Sequence, residues 1–76
     1  MKASELRDQL TGLLARRHGG TRRRWRIVLG PIRVYNPVTH PHCNWSASPS
    51  GSHDENEAVE RLLDDARLTH PLVEKD

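Results

Sequence analysis

Leu6, Leu10, Leu13 and Leu14, extended by Ala3 and Arg17, recur at steps of three and four residues. That spacing predicts an amphipathic helix from about Ala3 to His18. Ser4 is the expected N-cap, Glu5 and Asp8 sit near the positive end of the helix, and Arg16, Arg17 and His18 sit near its negative end. Gly19-Gly20 supplies a left-handed stop. Gly12 costs about 1 kcal/mol relative to Ala inside a helix, which points to close packing at that position.

From Arg24 the period changes to two. Trp25, Ile27 and Leu29 alternate with Arg24, Arg26 and Val28, the pattern of a half-buried strand. Beyond Gly30-Pro31 the apolar set continues at Ile32 and Val34 with its parity flipped. Either a bulge at Gly30-Pro31 keeps both halves on one core, or the dipeptide divides two strands. Residues 36–52 hold Pro37, Pro41 and Pro49, and within them Cys43, Trp45 and Ala47 alternate with Asn44 and Ser46. A short strand there would return antiparallel against residues 24–35. Ser52-His53-Asp54-Glu55 matches a capping box, and Val59, Leu62, Leu63 and Ala66 follow at helical spacing until Pro71 stops the run.

The expected architecture is a single α+β domain over residues 1–71, ordered α-β-β-α or α-β-β-β-α, with two helices on one face of a short antiparallel sheet. Residues 72–76 are expected to form a frayed tail, with Leu72 and Val73 able to cover an edge of the core. In layout alone this order resembles the double-stranded-RNA-binding domain and the small toxins of the HicA type. The toxin pattern places a His on a strand after a Gly-Ser pair, whereas Gly51-Ser52-His53 here lies at a helix cap. The second helix opens with acids where the RNA-binding domains carry lysines.

Composition narrows the functional classes. In 76 residues only 34% are hydrophobic and 4% aromatic, with no Phe, so a large catalytic cleft or an enclosed cofactor site is not expected. No cofactor and no resident metal are assigned. Cys43 is the single cysteine, which excludes an internal disulfide framework and suits a reducing compartment. No apolar segment follows Met1-Lys2, and the longest apolar run is Ile27-Val28-Leu29. A cytoplasmic protein without a signal peptide or membrane contact is therefore expected.

The net charge of +2 hides a strong asymmetry. Residues 9–53 contain no acid and carry Arg16, Arg17, Arg22, Arg23, Arg24, Arg26 and Arg33, a block of +7. Residues 54–76 set eight acids against Arg61, Arg67 and Lys75, a block of −5. Guanidinium groups bind phosphates in two-point fashion, and clustered arginines displace counterions from a nucleic-acid backbone. Arg24 and Arg26 would share one face of the strand, and a bulge would add Arg33 and the Tyr35 ring to that face.

The expected function is accordingly non-enzymatic contact with a nucleic-acid backbone, DNA or RNA undetermined, through Arg16, Arg17, Arg22, Arg23, Arg24, Arg26, Arg33 and Tyr35. The alternative is a protein–protein adaptor or homodimer in which the arginines meet acidic surfaces. A third reading, a small ribonuclease-type toxin, would use His40 or His42 beside Arg33 and Tyr35. A zinc site from His40, His42, Cys43 and His53 is disfavoured, because adjacent residues of a strand face opposite ways.

Overall fold

The computed structural model describes residues 1–76 and contains, in chain order, α1 (Ala3–His18), α2 (Arg22–Leu29), β1 (Arg33–Val34), β2 (Trp45–Ser46) and α3 (His53–Thr69). The fold is a small α+β domain, with three helices and a two-stranded antiparallel sheet. The first and last helices lie where their periodicity placed them. The segment from Arg24 does not: it is helical to Leu29, and strand geometry begins only at Arg33.

The helix at Arg22–Leu29 has a clear local cause. Thr21 caps it, its hydroxyl accepting the Arg24 N–H at 3.1 Å, and Gly30 ends it at φ +71° with its N–H on the Arg26 carbonyl. Trp25, Val28 and Leu29, at i, i+3 and i+4, point into the core, whereas Ile27 is 56% exposed. Gly30-Pro31 is thus neither a bulge nor a break between strands but a helix stop followed by proline. The element order becomes α-α-β-β-α, and with it the likeness of layout to the RNA-binding domain and the toxins disappears.

The core lies chiefly among the helices, not between two helices and a sheet. Leu6, Leu10 and Leu14 of α1 meet Trp25, Val28 and Leu29 of α2 and Val59, Leu62 and Leu63 of α3. Contacts run in opposite order along α1 and α2: Arg22 lies on Gly12, while Arg26 reaches back to Asp8. The two helices therefore pack antiparallel. Arg7 joins them, its Nη2 donating to the Arg26 carbonyl at 3.1 Å and placing a cation at the negative end of α2. The close packing expected at Gly12 is present, with the Arg22 guanidinium lying where a side chain would begin.

In the sheet, Arg33 pairs with Ser46 and Val34 with Trp45. Trp45 is buried, and its indole N–H donates to the His70 carbonyl at 2.7 Å, which pins β2 to the end of α3. Asn44, 2% exposed, ties the C-terminal residues down. Its side chain accepts the Val73 N–H at 2.8 Å and donates to the Val73 carbonyl at 2.8 Å and the Tyr35 carbonyl at 3.2 Å. Residues 72–76 are therefore not a frayed tail. Val73 is in the core, the Glu74 backbone pairs with the chain at Lys2, exchanging hydrogen bonds with Met1 and Ala3, and the Ser4 hydroxyl and N–H both donate to Asp76. Those Ser4 bonds hold the Asp76 carboxyl below its ordinary range. Ser4 consequently serves the C-terminus and not the cap of α1, where Glu5 accepts the Lys2 N–H at 3.1 Å. No helix is long and apolar enough to cross a membrane.

Candidate nucleic-acid interface

The seven arginines of the acid-free stretch divide into three groups. Arg24 and Arg26 are held by carboxylates. Arg24 donates from Nε to Glu55 Oε2 at 2.9 Å and from Nη2 to Glu55 Oε1 at 2.8 Å, and Arg26 pairs with Asp8. A strand would have put these two guanidiniums on one face; on a helix, residues two apart differ by about 200°, so each meets a different neighbour. The Arg24 contact, helped by the Ser52 N–H, lowers the Glu55 carboxyl from its ordinary value to about 2. The same pairing raises the Arg24 guanidinium.

Arg16, Arg17, Arg22 and Arg23 form the second group. They sit where the end of α1 meets the start of α2 across Gly19-Gly20-Thr21, and none has a carboxylate within 4.0 Å. Arg22 and Arg23 line a groove of about 310 Å³ with Asp8, Thr11 and Arg26. Arg16 is one helical turn beyond Gly12, on the face of α1 against which Arg22 lies. Arg17 points the other way, into a cleft of about 370 Å³ shared with Asp54, Glu57 and Asp65 of α3, without touching them. The open cationic surface is therefore strongest around Arg16, Arg22 and Arg23, with Arg17 at its edge.

Arg33 and Tyr35 make up the third group and lie elsewhere. Tyr35 is joined through Asn44 and Val73 to the start of α1, whereas Arg16 and Arg17 are at its end. At 1.5 Å per residue, Arg16 stands about 20 Å along the helix from Ala3, and Gly12, on which Arg22 lies, about 14 Å. The single surface expected from the sequence is thus two. Arg33 is exposed and unpaired, and Tyr35 shares its sheet face, its hydroxyl 3.0 Å from Ser46 Oγ. The Tyr35 ring stacks on His40, with centroids 4.6 Å apart and planes 21° from parallel.

His40, His42, Cys43 and His53 do not assemble into a ligand set. The one group of three with its ligand atoms close together is His53, Asp54 and Glu57, all exposed, and Glu57 there is bonded to Arg61. Sequence reasoning missed the roles of Asp8, Glu55 and Arg7 in satisfying α2, because they follow only once that segment is helical. No protein-family model matches this chain, and no curated protein or solved structure matches it either.

Proposed function

We propose that this protein binds the phosphate backbone of nucleic acid through Arg16, Arg17, Arg22 and Arg23. The observation that supports this reading is their grouping where α1 ends and α2 begins, with no carboxylate partner. Arg22 and Arg23 at the positive end of α2, Arg16 at the end of α1 and Arg17 at the edge, with no acid in the first turn of α2, leave an anion-attracting surface. Arg24 and Arg26 form a paired border to that surface. Four phosphate contacts imply that affinity for duplex DNA falls about a hundredfold between 50 and 200 mM salt. A gel shift at low salt tests the reading, and absence of any shifted band removes it.

A second reading is favoured by a separate observation. Arg24 and Arg26 already donate to carboxylates of their own chain, and Asp54, Glu60 and Asp65 on α3 have no cationic partner. Arg16, Arg17, Arg22 and Arg23 would then meet an acidic protein surface, such as α3 of a second copy. Light scattering across a range of concentrations distinguishes it, since a protein that stays monomeric at every concentration contradicts the homodimer.

A further inference from the structure

The sheet end of the molecule carries features that phosphate contact alone does not use. Both tryptophans are buried, Trp25 at 6% and Trp45 at 2% exposed, so Tyr35 and its neighbour His40 present the accessible aromatic stack. The stack is held in place beforehand. Asn36 organises the loop beneath it: its carbonyl accepts the Thr39 and His40 N–H groups, and its side chain accepts the Val38 N–H at 2.8 Å. Thr39 Oγ1 lies 2.9 Å from His40 Nδ1, and the Tyr35 hydroxyl is tied to Ser46. Pro37 and Pro41 restrict the chain on either side. Arg33, unpaired, sits two residues from Tyr35 on the same face of the sheet.

We infer that the nucleic acid bound by this protein is single-stranded, with an unpaired base stacking on the Tyr35–His40 pair and its phosphate on Arg33. The inference rests on the reading above and adds the class of partner. A ring stack offers a π-face that any unpaired base can extend, while a duplex hides its base faces within its own stack. Rings fixed by hydrogen bonds lose little conformational freedom on binding, so the contact gains from being preformed. The adjacent cation supplies the backbone contact that base stacking in single-strand sites accompanies.

The test compares the full chain and its Tyr35→Ala and Tyr35→Phe variants against a mixed-sequence single strand of about 12 nucleotides and the matching duplex, at low salt. Circular dichroism first checks that each variant is folded. The parent protein should bind the single strand more tightly than the duplex. Tyr35→Ala should lower the ratio of single-strand to duplex affinity about tenfold, and Tyr35→Phe, which keeps the ring, should retain most of that ratio. Equal affinity for strand and duplex in the parent overturns this inference while leaving the backbone reading in place. An unchanged ratio in Tyr35→Ala, or an equal loss for both ligands, overturns it as well. Binding to neither ligand removes the backbone reading, and this inference with it.

Discussion

Arg24 and Glu55 meet through two parallel hydrogen bonds of 2.9 and 2.8 Å, joining α2 to the first turn of α3. Glu55 is at the same time the acid of the α3 capping box, accepting the Ser52 N–H at 2.9 Å while the Ser52 hydroxyl accepts the Glu55 N–H. One carboxylate thus closes a helix start and fixes the direction of a neighbouring helix. Its lowered pKa of about 2, against an ordinary 4.5, means that the folded state binds fewer protons than the unfolded state between those values. The stabilisation is complete above about pH 4.5 and is lost as the pH falls towards 2. Glu55→Gln should flatten this limb of the stability–pH curve, measured by urea denaturation at several pH values. An acid limb as steep as the parent's would show that another carboxyl is responsible.

The same substitution bears on binding. Gln at position 55 can still cap α3 but leaves Arg24 without its counter-charge. Affinity for a polyanion should rise by a few-fold, and the salt dependence should steepen by about one contact. Fluorescence anisotropy with labelled duplex measures both, and an unchanged slope would mean that Arg24 does not face the ligand.

Two glycines with crowded surroundings should respond oppositely to alanine. At Gly12 an added Cβ would lie 2.5 Å from Arg22 Nη2, the far end of a flexible side chain that can swing away. Gly12→Ala should therefore be neutral or stabilise the protein by up to about 1 kcal/mol, through the helix propensity of alanine. At Gly51 the same atom would lie 2.9 and 3.0 Å from the two methyl groups of Val28, which is fully buried. Gly51→Ala should cost about 1–3 kcal/mol by overpacking. Thermal unfolding of the two variants separates them, and equal melting temperatures would contradict the packing described.

Asn44 should be the most sensitive polar position. Asn44→Ala leaves the Val73 N–H and carbonyl without their buried partner and loosens the C-terminal residues from the start of α1. A loss of about 3 kcal/mol in chemical denaturation is expected, together with faster hydrogen exchange at Val73. A loss below about 1 kcal/mol would mean that the C-terminal segment is held chiefly by Val73 packing.

Much of this was legible in the residues, and the one large departure has a physical origin. The leucine rows of α1 and α3 are long enough to fix their period, and the Ser52–Glu55 box marked the start of α3. In Trp25-Arg26-Ile27-Val28-Leu29 two periods coexist: Trp25, Ile27 and Leu29 at period two, and Trp25, Val28 and Leu29 at helical spacing. An eight-residue element is too short to separate them by pattern. The signals that decide it are Thr21 as N-cap and Gly30-Pro31 as stop. From that helix follow the division of Arg24 from Arg26, their pairing with Glu55 and Asp8, and the displacement of Arg33 and Tyr35 to the far end of α1. The ties made by Asn44 and Asp76 link residues far apart in sequence, and no local pattern carries them.

The dependence of duplex binding on salt, compared between the parent and a variant with Arg16, Arg17, Arg22 and Arg23 all replaced by Gln, bears most directly on the cationic turn. Four phosphate contacts correspond to a slope of about −3 to −4 in a plot of log K against log salt concentration for the parent. The variant, folded by circular dichroism, should show a slope near zero and little binding at low salt. A variant that binds with the parent's slope, or a parent that does not bind at low salt, would contradict the assignment of these four arginines to a nucleic-acid backbone.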